Sequence, residues 1–318
     1  MTATMSKPRV SAVIPTRNRP ELLRRAVMSV LRQTVQDLEV VVVVDGPDSE
    51  TVAMLDGIGD ERIRIIALPE SVGGSDARNM GARNATGHWV ALLDDDDEWM
   101  PEKCAVQLEM AEAAGDRCLV VSEFIRRSET EGDALRPSRM PAEGEPLSEW
   151  MFSRECGFQT SSFFCSRSLF LEVPFTSGLK GCQDLDWFLR VLAAPEAKLV
   201  ICRQPLAVFY VAENRPSVWR GMNLKVRLDW GRSCRQYMTR RGYSMFIFHT
   251  CATRAAAEPF SLAVFARLFY ECAFVGRPDP RTLGHLVALF FLPRGLRHKV
   301  RDLMAGGRAK QPVPITHA

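Results

Sequence analysis

Four consecutive acids, Asp94, Asp95, Asp96 and Asp97, directly follow the apolar run His88-Trp89-Val90-Ala91-Leu92-Leu93. Carboxylates about 4 Å apart repel by roughly 1 kcal/mol in water and by several times that at a protein surface. A fold keeps such a run where a cation offsets the repulsion. Hard divalent ions such as Mg²⁺ and Mn²⁺ take oxygen ligands and retain part of their water. In an extended chain Asp94 and Asp96 point to one side and Asp95 and Asp97 to the other. One pair is then free for a metal, and the other for a ribose or for capping the next turn. The plainer alternative is a solvated acidic loop or a helix N-cap. The apolar run reads as a buried strand, and ligands of open α/β sheets bind beyond the carboxyl ends of strands. The pattern therefore predicts a metal-assisted site, using Mn²⁺ or Mg²⁺, for an anionic, phosphorylated substrate.

The elements that must position these acids alternate along the first half of the chain. Residues 10–14 form a short apolar run ended by Pro15. Residues 21–33 carry Leu22, Leu23, Ala26, Val27, Val30 and Leu31 at helical spacing. Residues 38–44 are a continuous β-branched strand, stopped by Asp45-Gly46-Pro47. Asp48 can cap a helix reaching residue 58. A third strand spans 63–68. Gly73-Gly74-Ser75 opens a helix over 76–85, and the strand bearing the four acids follows. This β-α-β-α-β-α-β order predicts a largely parallel sheet with helices on both faces. Beyond it we expect a helix over 103–114, a strand over 118–124 and an exposed loop over 128–148. A short strand over 160–165, a helix over 184–193 and two short strands around Pro205 within 199–211 complete this part.

Composition bounds the function. The chain has 318 residues, 46% hydrophobic and 25% charged, with a net charge of +3. That is ordinary for a globular protein and too weakly basic to argue for nucleic acid as a partner. Nine cysteines without a Cys-x-x-Cys pair suit a reduced, cytoplasmic protein better than a disulfide framework. Residues 1–8 lack the apolar stretch of a signal peptide, and no run of eighteen uninterrupted apolar residues suggests a membrane span.

The ordered motifs Val13-Ile14-Pro15-Thr16-Arg17-Asn18-Arg19, Val43-Val44-Asp45-Gly46, Gly74-Ser75-Asp76-Ala77-Arg78-Asn79-Met80-Gly81 and Leu93-Asp94-Asp95-Asp96-Asp97 together resemble the family 2 glycosyltransferases. The resemblance covers residues 10–211. It implies an α/β fold of GT-A type, a Rossmann-like, mostly parallel sheet flanked by helices. It also implies an inverting transfer of sugar from a nucleotide-sugar donor. By the same resemblance Pro15, Thr16 and Arg17 meet the base and ribose. Asp45 accepts from the base imide, which suits uracil; alone it also reads as a turn residue before Gly46. Arg78 reaches the diphosphate or the acid cluster, Asp94 and Asp95 face the nucleotide, and Asp96 holds the metal. Asp97 is a further candidate.

Gly181-Cys182-Gln183-Asp184-Leu185-Asp186 resembles the Glu-Asp segment of the same family, with Asp184 matching the catalytic base. Gln183 stands where the family has Glu, a departure that removes one neighbouring charge. The alternative for Asp184 is an N-cap. The family's Arg-x-His pattern is also missing. Tyr210-Val211-Ala212-Glu213 occupies its place, and Glu213 is the acid available on the metal side.

These readings divide the chain into a catalytic domain, residues 1–217, and a helical C-terminal region, residues 218–318. Apolar stretches followed by Arg294, Arg297, Lys299 and Arg301 make that region either a helical cap or a peripheral attachment to the inner face of a membrane. The second suits a saccharide or lipid-linked saccharide acceptor. Two alternatives compete: a catalytically weak nucleotide-sugar-binding protein, and a sugar-nucleotide nucleotidyltransferase. The glycine-rich loop that the latter needs is absent from residues 15–19.

Overall fold

The structure is a computed structural model, and it describes residues 7–153, 156–211 and 222–292. The chain divides into two compact units, residues 1–239 and 240–318.

The first unit opens with the alternating pattern expected. Strands β1 (Val10–Thr16), β2 (Leu38–Val44), β3 (Ile63–Ala67) and β4 (Trp89–Leu92) are joined by α1 (Pro20–Leu31), α2 (Ser49–Asp56) and α3 (Gly74–Asn84). All four strands are parallel, with Val10 opposite Leu38 on one side and Trp89 on the other. Every residue of β2 is buried, as a strand covered on both faces requires. Pro20 starts α1 at a position where a missing N–H costs nothing. The side chain of Asp48 accepts from the Thr51 N–H at 3.0 Å and caps α2. Gly81 lets α3 lie flat on the sheet. A Cβ there would stand 2.4 Å from Val13 Cγ1.

The second half of the sheet is mixed. It comprises β5 (Glu98–Trp99), helix α4 (Lys103–Ala114), β6 (Cys118–Ser128), β7 (Gly132–Arg136), α5 (Leu147–Met151), β8 (Phe164–Ser166), α6 (Arg167–Glu172), α7 (Gln183–Leu192) and β9 (Lys198–Val211). The strand order is β3-β2-β1-β4-β8-β6-β9-β5, with β7 paired to β6. Strand β8 runs antiparallel to both β4 and β6, and β5 antiparallel to β9. Three segments differ from expectation. Residues 160–165 split into a 3₁₀ turn, Thr160–Ser162, and the short β8, because the Gln159 side chain accepts from the Ser161 N–H and curls the chain. Residues 198–211 form one strand instead of two. Its pairing with β6 slips at Pro205, which has no N–H for the ladder. Part of the 128–148 loop folds back as the β6–β7 hairpin.

Helix α7 is seated by aromatic rings. Trp187 stacks on Phe175 at 5.0 Å and packs against Phe163 and Phe170, both at 5.4 Å. A further helix, α8 (Leu224–Ser233), belongs to the same unit.

The second unit is helical: Arg240–Phe246, Ile247–Ala252, Leu262–Tyr270, Glu271–Val275 and Pro280–Phe291. Tyr243 donates to Glu271 at 2.7 Å and Ser244 Oγ donates to the Cys272 carbonyl at 2.9 Å, both buried. No helix among the described residues is long and apolar enough to cross a membrane.

Candidate active site

Parallel pairing brings the carboxyl ends of β1, β2 and β4 to one rim. The Asp45 N–H donates to the Thr16 carbonyl at 2.8 Å and the Leu93 N–H to the Val13 carbonyl at 3.1 Å, so the register holds past the strand ends. The four acids then turn sharply, with the Asp97 N–H donating to the Asp94 carbonyl at 3.2 Å.

Burial alternates through this turn. Asp95 and Asp97 are buried. Asp94 and Asp96 keep 24% and 27% of their side chains exposed. Asp95 accepts from Thr16 Oγ1 at 2.8 Å and from Arg19 at 3.1 Å. Burial pushes its carboxyl up to about 6 against the pull of the Arg19 charge. Asp97 accepts from Gln159 Nε2 at 2.5 Å, Ser161 Oγ at 2.6 Å and the Tyr210 N–H at 3.3 Å. Burial, reinforced by the charges of Asp94 and Asp96, raises it well above the usual carboxylate range. Ser161 Oγ also accepts from the Asp94 N–H at 3.0 Å. One hydroxyl thus ties both ends of the acidic turn.

The two outward acids meet arginines. Arg78 forms an ion pair with Asp94. Arg19 lies 3.4 Å from Asp96, whose carbonyl accepts from Arg25 Nη2 at 2.6 Å. A hard divalent ion fits this oxygen-only donor pair. Such ions are typically bound by one or two carboxylates plus substrate phosphate and water, without an all-protein cage. Among the described residues no three His, Cys, Asp or Glu side chains are grouped to hold a metal by themselves.

Arg78 also crosses to the other side of the cleft. Its Nη1 donates to Gln183 Oε1 at 3.1 Å, and its guanidinium lies 5.4 Å from the Phe175 ring centroid. Gln183 and Asp184 open α7. The residue before them, Cys182, takes a left-handed conformation and makes no side-chain cap, so Asp184 is not the N-cap. Burial raises the Asp184 carboxyl. The Leu185 N–H opposes that rise, the charge on Asp94 adds to it and Arg78 offsets it. Its neighbour Asp186 is engaged in the interior. It accepts from Thr176 at 2.6 Å, Arg190 at 2.8 Å and both Trp230 and Cys234 at 3.2 Å.

Asp45 is buried at the end of β2, and its carboxylate gathers the loop before α3. It accepts from the Val72 N–H at 2.7 Å, Ser71 Oγ at 2.8 Å and the Gly73 N–H at 3.1 Å. The Gly73 N–H also reaches the other carboxylate oxygen at 3.3 Å, so each oxygen of Asp45 accepts two bonds. Arg17 is exposed and donates to Ser71 Oγ at 3.1 Å. Pro15, half-buried, lies opposite Val43 in the sheet. Glu213 lies outside the described residues.

Pro15, Thr16, Arg17, Asp45, Arg78, the four acids, Gln183 and Asp184 are thereby linked in one region. Sequence reasoning missed Gln159, Ser161 and Arg25. Gln159 and Ser161 lie some sixty residues from their partner acid and carry no motif. Arg25 sits within a helical run, where it reads as surface charge. Arg19 was visible beside Arg17 but carried no assignment.

A family model described as Glycosyl transferase family 2 matches residues 11–175. The amylovoran biosynthesis glycosyltransferase AmsB of Erwinia amylovora is 27% identical over 273 residues, 82% of this chain and 90% of that protein. The UDP-Glc:alpha-D-GlcNAc-diphosphoundecaprenol beta-1,3-glucosyltransferase WfgD of Escherichia coli is 31% identical over 101 residues, 32% of this chain and 40% of that one. Among solved structures, the mannosyltransferase PcManGT of Pyrobaculum calidifontis in complex with GDP-Man and Mn²⁺ gives a TM-score of 0.57 at 18% identity. The match covers 95% of this chain and 89% of that one. This likeness shows the fold, the GT-A arrangement expected from the sequence. The matched segment is more than half of the 318 residues, and the chain belongs to glycosyl transferase family 2.

Proposed function

We propose that the protein transfers a sugar from a UDP-linked donor to a hydroxyl of a saccharide or lipid-linked saccharide, with inversion, in polysaccharide or glycoconjugate assembly at the cytoplasmic face of a membrane. The observation that carries this reading is the position of Arg78. One guanidinium holds Asp94 on the acidic turn and Gln183 at the start of α7, with Asp184 next in the chain. The named relatives support the substrate classes, since one acts from UDP-Glc on a diphosphoundecaprenol-linked sugar.

Asp45 takes the imide N–H of uracil in exchange for its weaker, shared bond from the Gly73 N–H, and Pro15, Thr16 and Arg17 border base and ribose. The N-terminus of α3 and Arg78 favour the diphosphate's negative charge. Asp96, with Asp94 beside it, would hold a divalent ion, which supplies Lewis-acid stabilisation of the diphosphate when bound. Asp184 takes the proton of the acceptor hydroxyl as its oxygen bonds to the anomeric carbon. The bond from that carbon to the diphosphate oxygen breaks on the opposite face. A single displacement of this kind inverts the centre.

Asp184→Asn tests the assignment. We expect transfer to fall by at least about 10², with nucleotide binding by calorimetry unchanged. In the wild type the acidic limb of the rate profile should lie above the ordinary carboxylate range, as the raised Asp184 carboxyl requires. Undiminished transfer by the variant would remove Asp184 from the mechanism.

A further inference from the structure

The second unit exposes apolar surface of a kind scarce elsewhere in the described residues. Phe260, Leu262, Tyr270 and Phe274 are 57–65% exposed, and Phe291 is 53%. These rings are continuous. Phe291 meets Phe260 at 5.6 Å and Phe265 at 4.8 Å. Phe265 meets Phe269 at 5.7 Å, Phe269 meets Phe274 at 6.3 Å, and Phe274 stacks on Tyr270 at 5.8 Å. The helix Leu262–Tyr270 fully buries only Leu268. A contiguous apolar face left open in this way marks an interaction surface.

Charge says what covers it. Residues 240–318 hold twelve Lys and Arg against four Asp and Glu, whereas residues 1–239 hold 29 against 34. The net +3 of the chain is a basic unit of +8 joined to an acidic one of −5. Arg267 and Arg281 are exposed on the same helices as the rings, and Arg277 is exposed in the loop between two of them. Arg294, Arg297, Lys299 and Arg301 follow in the sequence. Aromatic side chains with flanking arginines suit the boundary between acyl chains and headgroups, and arginine stems can lie on the apolar face while the charge reaches phosphate. A second copy would bring another +8 against the first, which disfavours self-association. Exposed rings beside basic side chains make a bilayer's surface the fitting occupant.

We propose that the aromatic face formed by Phe260, Phe265, Tyr270, Phe274 and Phe291 docks on an anionic lipid bilayer. This rests on the lipid-linked-acceptor reading above and adds the surface that would deliver the enzyme to it.

The test is flotation of the full chain with vesicles of phosphatidylcholine alone or with about 30% phosphatidylglycerol. Wild type should rise with the anionic vesicles and fall back at high salt. The double variant Phe274→Ser/Phe291→Ser should lose partitioning at least tenfold, at about the transfer energy of two aromatic rings. Arg267→Gln/Arg281→Gln, which leaves the apolar face intact, should lose several-fold and keep its thermal transition. Wild type that stays unbound with both vesicles overturns the proposal. So do aromatic and arginine variants that float like wild type. So does a wild-type dimer that the aromatic variant dissociates, because a second copy then covers the face. Hydrolysis of a UDP-sugar with Mn²⁺ in lipid-free buffer runs in parallel and should be equal in all three proteins. Its absence from wild type would count against the transferase reading, with flotation still deciding this surface.

Discussion

Lys103 carries its ammonium into the core, where Nζ finds no hydrogen-bond partner and sits 4.0 Å above the Trp99 ring. Desolvation lowers its pKa to about 8. An unfolded lysine near 10.5 binds its proton more tightly than the folded one, so stability rises as pH climbs from 8 towards 10.5. Buried thiols such as Cys104 and Cys118, pushed up to about 11, oppose that gain above pH 9. The difference between wild type and Lys103→Met isolates the lysine. The variant should be more stable than wild type at pH 7, by up to about 3 kcal/mol for the shift involved less the lost cation–π attraction. That advantage should shrink as the pH approaches 10. Denaturant titrations at pH 7, 8 and 9 would read it, and a pH-independent difference would refute the account. At this scale the sequence shows residue types well. The grouping of Asp94 and Asp96 against Asp95 and Asp97 matches their burial, although the acids stand in a turn past the strand, where strand geometry no longer sets the sides. The sequence could not show that Asp186 is consumed by Thr176, Trp230 and Cys234 while its neighbour Asp184 is not.

Elements hold these residues through contacts that cross long stretches of chain. The acidic turn is fastened from the 3₁₀ turn Thr160–Ser162, whose Ser161 hydroxyl donates to Asp97 and accepts from the Asp94 N–H. Ser161→Ala strips one donor from a buried carboxylate and one acceptor from a backbone amide. The expected cost is about 1–3 kcal/mol. Looser placement of Asp94 and Asp96 should also weaken Mn²⁺-dependent nucleotide binding more than metal-free binding. Ser161→Thr, which keeps the hydroxyl, should restore most of both. Calorimetry with and without Mn²⁺ checks this, and equal losses in both conditions would mean Ser161 serves the fold alone. The residues 160–165 read as one strand because their apolar and hydroxyl side chains suit β pairing. Gln159, bonding to the Ser161 N–H, redirects them into the turn that the acids need. The first four strands were legible for the opposite reason. β2 carries an unbroken run of Val, and β1, β3 and β4 are short, mainly apolar segments with turn residues between them.

Across the whole molecule, chemistry and charge are segregated. Every described member of the candidate site falls between Pro15 and Asp184, inside the first unit, while the exposed rings and the excess of arginine belong to the second. The first unit extends through Thr239 because Trp230 and Cys234, on and just after α8, bond to Asp186. Periodicity and composition carry no trace of that link. The segregation has a measurable consequence. A ligand that binds only the first unit stabilises it by mass action, about 2.7 kcal/mol at a hundredfold excess over its dissociation constant. UDP with Mn²⁺ should therefore slow hydrogen exchange at the amides of Val72, Gly73 and Asp94, which bond to side chains at the rim of the sheet. Exchange at the start of α7 should slow as well, since Arg78 couples Gln183 to Asp94. Amides of residues 240–292 should exchange at unchanged rates. Protection spread evenly over both units would mean that they open as one cooperative body. Protection absent from the acidic turn would mean that the nucleotide sits elsewhere.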